Sequence, residues 1–317
     1  MIDFLSCRDF CVILRRKNTV MELRQLKYFI KVAETLNFSA AAKELFVTQS
    51  AIAQQIMRLE QELEQPLFER NSRQVLLTEA GRLLLPLAIK TVNNSQECKQ
   101  QLNDLKDMKT GELNIGVTYS FSSVVSETML DFFKMYPGIK INVMYTHMSR
   151  LIDELLKHNL DIALAFRPSD TNPNIDSQVL FNSHLAAIVN EYHPLADKKS
   201  VTLSELSRYN LALPSRGLQA RNAFEDIVEG KDYSFHIKVE INNIHMLFRL
   251  IRNTQFATVL SESTVINEQG VKAVKIDEPG NVMVGCIHTL KDAYLKDSAK
   301  EFIRMLRHST ALLHNAV

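Results

Sequence analysis

Residues 37–81 read NFSAAAKELFVTQSAIAQQIMRLEQELEQPLFERNSRQVLLTEAG, and two short amphipathic segments meet within them at a tight turn. Ser39 is placed to cap a helix over Ala40–Phe46, because a hydroxyl there accepts from the orphan amides of a first turn. Thr48 is placed to cap a second helix, on which Ile52, Ile56, Leu59 and Leu63 recur at steps of four, three and four and so mark one buried stripe. The other face, Gln49, Ser50, Ala53, Gln54 and Arg58, is polar and free. Two helices joined by a turn of about three residues, the second with a free polar face, fit a DNA major groove. Pro66–Thr78 then reads as two short strands around a polar turn at Asn71–Ser72, a wing with Arg70 and Arg73 near its tip.

Several short motifs stand in order here: Leu23-Arg-Gln-Leu-Lys-Tyr-Phe, Ala40-Ala41-Ala42, Val47-Thr-Gln-Ser-Ala-Ile, Leu59-Glu-x-Glu-Leu, Pro66-Leu-Phe-Glu-Arg70 and Leu77-Thr-Glu-Ala-Gly81. Together they resemble the winged helix-turn-helix of LysR-type transcriptional regulators. The resemblance continues more faintly in Phe133-x-x-x-Tyr-Pro137, Leu160-Asp-Ile-Ala-Leu164, His193-Pro-Leu-Ala196 and Leu203-x-x-Leu206. It implies an α/β protein with an N-terminal winged helix-turn-helix, a long linker helix, and an effector domain of two subdomains like a periplasmic binding protein. On that reading residues 1–20 are an unstructured extension, 21–79 the DNA-binding domain, 80–108 the linker and dimerisation helix, and 109–317 the effector domain. The effector domain divides into subdomain I, about 109–181 and 287–317, and subdomain II, about 182–286.

Composition bounds the alternatives. The chain has 317 residues, enough for about two domains. A formal net charge of +1 does not announce nucleic acid, and Met21–Gly81 holds seven Lys/Arg against eight Asp/Glu. A DNA reader of this composition must place its few cations on one face. Cys7, Cys11, Cys98 and Cys286 form no CxxC pair, so neither a metal site nor a disulfide framework is indicated, and the expected compartment is the cytoplasm. The apolar run Phe10–Leu14 is too short to span a membrane. No GxSxG, HExxH, GxxxxGK[ST] or GxGxxG is present, so no enzyme constellation is visible.

After the wing, Thr78 can cap a helix reaching about Met108, with Pro86 inside it and a heptad at Leu84, Ala88, Thr91, Ser95, Cys98, Leu102 and Leu105. Such a seam suits a contact between two identical chains. From Leu113 onward short apolar strands alternate with helical stretches, which predicts parallel sheets with crossover helices.

In open α/β sheets a ligand sits beyond the carboxyl ends of the strands. The hydroxyl-rich Thr118–Ser123 loop follows the first strand, and the resemblance implies that Thr118, Ser120 and Phe121 line an effector cleft. Facing candidates are Thr146, Phe166 and Arg167, with Ser215, Arg216 and Arg221 from the second subdomain. An arginine there could pair with an acidic effector, so a small anionic or polar metabolite is expected, with no cofactor and no metal. The resemblance also implies double-stranded DNA carrying an inverted repeat, a second and fourth copy of the chain, and RNA polymerase as partners. Against the common pattern, Ser50 stands where proline is frequent, Ala53 where serine is, and Gln54 where arginine is.

Overall fold

The computed structural model describes residues 21–70, 74–104, 110–168, 170–266 and 268–309. The extension 1–20, the wing tip with Arg73, and Leu105 of the heptad therefore lie outside the described residues. The chain divides into two compact units, one ending at Lys99 and the other beginning at Gln100.

The first unit is built on three helices: α1 (Leu23–Thr35), α2 (Phe38–Glu44) and α3 (Gln49–Leu63). Ile52, Ile56 and Leu59 of α3 are wholly buried against Leu26, Phe29 and Val32 of α1, each burial being worth about 1.5–3 kcal/mol. Leu63 leaves the stripe and is 37% exposed, because the chain turns left-handed at Glu64 (φ 53) and the helix ends there. Asn37, not Ser39, caps α2: its Oδ1 accepts from the amides of Ser39 and Ala40 at 2.9 and 3.0 Å. Phe38 is buried in the core, and the helix consequently starts two residues before the expected point. The wing pairs β1 (Phe68–Arg70) with β2 (Val75–Leu77) in antiparallel register. Glu60 anchors it, accepting from the amides of Leu67 (2.8 Å) and Phe68 (3.2 Å).

Thr78 caps the long helix α4 (Glu79–Asp104), accepting from the Gly81 amide at 3.0 Å while its own hydroxyl donates to the Pro66 carbonyl at 2.7 Å. A Cβ at Gly81 would lie 2.3 Å from the Leu67 carbonyl oxygen, so only glycine lets the helix start this close to the wing. The heptad divides between two environments. Leu84 and Ala88 pack into the core of their own unit, whereas Thr91, Cys98 and Leu102 are exposed and Ser95 is half-buried. Leu83 and Leu87, 67% and 62% exposed, carry the open apolar stripe of the first turns instead. The expected seam is thus displaced by one residue where the helix also has to cover its own domain.

The second unit holds two lobes. In the first, strands β3 (Gly111–Val117), β4 (Ile139–Tyr145), β5 (Ile162–Phe166), β6 (Ile175–Ser183) and β13 (Met283–Leu290) form a sheet in the order β4-β3-β5-β13-β6. Helices α5 (Ser122–Met135) and α6 (Met148–Leu156) link its parallel strands, and α10 (Asp297–Arg307) packs on α5 through Phe302 and Phe132. In the second lobe β7 (Leu185–Asn190), β8 (Ser200–Val201), β11 (Thr258–Ser261) and β12 (Val271–Ile276) run β11-β7-β12-β8. The pair β9 (Asn210–Pro214) and β10 (His236–Ile241) joins β11 through a Leu211–Ala257 bridge. Helices α7 (Leu203–Leu206), α8 (Gln219–Val228) and α9 (Ile244–Arg252) complete it. The sheets are mixed and not purely parallel: β13 runs antiparallel to β5 and β6, and β7 antiparallel to β11 and β12. Strand β6, half-exposed along an edge, and strand β12, alternating with lysines, lacked the continuous apolar runs that marked the others.

The chain crosses between lobes after Ser183 and returns before Met283. Asn281 staples the two crossings: its Oδ1 accepts from the Leu185 amide (2.7 Å), and its Nδ2 donates to the carbonyls of Leu185 (2.9 Å) and Ile276 (2.7 Å). Asn281→Ala should therefore cost about 3 kcal/mol, since buried backbone groups lose their partners, and urea denaturation of the full chain measures it.

His288 is fully buried, with Nε2 donating to the Ala165 carbonyl at 3.2 Å and Nδ1 accepting from Ser177 at 2.8 Å. Burial pushes its pKa below the ordinary 6.5, against the pull of the carbonyl, and the charge of Arg167 pushes the same way as burial. The unfolded chain then takes up this proton first as pH falls through 6.5, so stability declines below that pH and levels off beneath the folded value. Denaturation at about pH 7.5 and 5.5 should show a smaller acid loss for His288→Gln than for the parent.

Candidate nucleic-acid interface and effector cavity

On α3 the side chains of Gln49, Ser50, Gln54 and Arg58 are exposed, while Ala53 is half-buried with its methyl against the core. Thr48 caps the helix, accepting from the Ala51 amide at 3.2 Å, and its hydroxyl lies 3.1 Å from that of Ser50. Ser39, released from capping, donates to Gln49 Oε1 at 3.0 Å, which ties the start of α2 to the first residue of α3. That bond occupies the amide's oxygen and leaves its nitrogen as the outward group. Met57, 49% exposed, lies on this face one turn beyond Ala53 and Gln54, an apolar side chain that no polar pattern marks. The turn between α2 and α3 carries Phe46 at φ 54 with its ring 95% exposed. Arg70 ends β1 at the wing, and its side chain lies outside the described residues, as does Arg73.

In the second unit a cavity of about 320 Å³ opens between the lobes. It is lined by Thr118, Ser120, Thr146 and Phe166 of the expected set. Phe121 instead points into the core, fully buried against Phe166 and Phe181. None of the three expected arginines lines the cavity. Arg221 is buried and neutralised by Glu225 at 2.9 Å and Glu240 at 3.0 Å; Arg216 is 77% exposed and pairs with Glu225; Arg167 is exposed. Ser215 is also outside the lining, though its amide donates to the Ile241 carbonyl at 3.0 Å.

Residues unmarked by the sequence motifs complete the walls. Tyr119 and Tyr145 meet edge to face at 6.2 Å, and His245 packs on Tyr119 at 5.2 Å. Burial pushes the Tyr145 phenol up to about 12 and raises Tyr119 as well, with Glu268 adding to the latter, so both rings are neutral hydrogen-bond donors near pH 7. Asn242 and His245 lie at the β10–α9 junction, the counterpart of the hydroxyl loop after β3. Polar side-chain contacts also tie the lobes together here. The Gln219 amide clasps both backbone groups of Phe166, accepting from its N–H at 3.1 Å and donating to its carbonyl; Tyr119 donates to Glu268 at 2.8 Å; Ser120 meets Thr264 at 3.2 Å.

Residues 23–82 match the model of the bacterial regulatory helix-turn-helix protein, lysR family, and residues 106–311 that of the LysR substrate binding domain. The chain is a LysR-family transcriptional regulator. Among its relatives, the transcriptional dual regulator GltC of Bacillus subtilis is 33% identical over 81% of this chain and 86% of its own. Full-length OxyR from Pseudomonas aeruginosa superposes with a TM-score of 0.67 at 19% identity, covering 92% of this chain and 95% of that one. Full-length CbnR in complex with its target DNA gives a TM-score of 0.59 at 21% identity, over 91% and 100% of the two chains. LysR-family organisation accounts for both sites: a helix-turn-helix that binds DNA, and an effector domain whose cavity lies between two α/β lobes. No described helix is long and apolar enough to cross a membrane, and no described group of His, Cys, Asp and Glu could hold a metal ion.

The Gln219 clasp gives a direct test of lobe closure. Gln219→Ala should leave the fold intact, lower stability by about 1–2 kcal/mol, and speed hydrogen exchange at the Phe166 amide, as mass spectrometry of peptic fragments would report.

Proposed function

We propose that this LysR-family regulator binds an inverted repeat as a dimer or tetramer, laying the exposed face of α3 in the major groove. The observation that carries the proposal is the pairing of a polar, solvent-facing α3 with a lobe-to-lobe cavity in the same chain. In this reading Gln49, Ser50, Ala53 and Gln54 approach base edges, Ser39, Thr48 and Arg58 steady the helix on the backbone, and Arg70 and Arg73 reach phosphates or the minor groove. Leu83, Leu87, Thr91, Cys98 and Leu102 supply the contact between two linker helices. Ligand in the cavity favours one hinge state, and the α4 helices transmit it to the spacing of the DNA-binding heads and so to RNA polymerase in the cytoplasm.

An amide can bridge N6 and N7 of adenine, whereas a guanidinium prefers O6 and N7 of guanine. The half-site position under Gln54 is accordingly A·T, and Gln54→Arg should move the preference toward G·C by about 1–3 kcal/mol in a selection assay. Retention of the same base by the variant would remove Gln54 from the readout. Alanine at Arg70 or Arg73 should instead weaken binding to every sequence and reduce the salt slope by about one. Footprinting of the purified chain on intergenic DNA beside its own gene, with metabolites added singly, tests the regulator as a whole.

A further inference from the structure

Within the reading of the interlobe cavity as the effector site, we infer that it takes an uncharged or singly anionic, ring-bearing organic molecule, and not a phosphorylated or polycarboxylate one. The first ground is charge. No lysine, arginine, aspartate or glutamate lines the cavity, and the arginines near it are exposed or committed to glutamates. A dianion enclosed there would lose its hydration with no fixed cation in return, and that desolvation is prohibitive. A single carboxylate is a different case. His147 stands at the N-cap of α6 with its Nδ1 on the Ser149 hydroxyl at 2.8 Å and its side chain caps no first-turn amide, which leaves those amides open to an oxygen, and His245 adds a ring nitrogen.

The second ground is where unpaired polarity sits. The side chains of Thr146, Asn242 and His245 line the cavity with no hydrogen-bond partner among the described residues. Thr146 follows β4 in one lobe; Asn242 and His245 follow β10 in the other. Tyr119, Ser120, Thr264 and Gln219, by contrast, already spend their polar groups on holding the lobes together. A ligand whose polar end meets all three free side chains therefore bridges the lobes without breaking the closing contacts.

The third ground is shape. Tyr119, Tyr145 and Phe166 set aromatic surfaces around a space at the lower end of the range for small-molecule pockets. Such walls reward a flat apolar body with one polar end.

Thermal-shift and calorimetric titration of the full chain with benzoate, benzamide, phenyl phosphate and phthalate decides the matter. Benzoate or benzamide should bind, with affinity reduced about tenfold by Asn242→Ala and similarly by the near-isosteric Thr146→Val, while phenyl phosphate and phthalate give neither shift nor heat. Tighter binding of phenyl phosphate or phthalate that still depends on Asn242 overturns the charge class and leaves the cavity as the effector site. Binding that ignores both substitutions overturns the cavity as the site. Failure of all four probes overturns the ring-bearing class, and the metabolite footprint described above then judges effector control separately.

Discussion

Everything the DNA-binding head does follows from how firmly one side of α3 is held. Ile52, Ile56 and Leu59 are sealed against α1, and Phe29, Phe38 and Phe68 meet as tilted or edge-on rings at 5.5 and 5.7 Å beside them. That anchorage leaves Gln49, Ser50, Gln54 and Arg58 of the opposite side exposed and free of packing. On the proposed reading α3 must present a fixed array of groups, because base readout discriminates through geometry fixed to a fraction of an ångström. Here rigidity comes from the apolar side, and Ser39 refines it by holding Gln49 from a second helix.

The effector domain obeys a different constraint. Its two lobes share crossings tied by Asn281, which bonds the start of β7 to the segment leading into β13. Beside the cavity the lobes meet through polar contacts, each worth about 1 kcal/mol, and through the Tyr119 ring packed on His245 and Phe248.

The head was legible in the sequence because its signals are local. The Ile/Leu stripe, the Thr48 and Thr78 caps and the turn between helices are set within a few residues of each other. What escaped was settled by distant partners. Asn37 displaced Ser39 as the cap once Phe38 was drawn into the core. Leu84 and Ala88 were taken from the seam by the domain beneath them. The arginines looked available to the cavity, but Glu240 of β10 is brought beside Arg221, and Glu225, one turn along the same helix, completes its neutralisation. The aromatic and amide walls gave no motif at all, since Tyr119 and His245 are far apart in the chain and become neighbours only through the lobe fold.

The seat of Gly81 beneath the Leu67 carbonyl has a mechanical meaning. Thr78 bonds backward to the strand before it and forward to the helix after it, and Arg82 donates to the Leu77 carbonyl at 2.8 Å. The first turns of α4 and the wing are accordingly welded into one piece. A bend at that junction would have to break these bonds and move the Leu67 carbonyl, so the wing and the root of the helix hold a single fixed angle to each other.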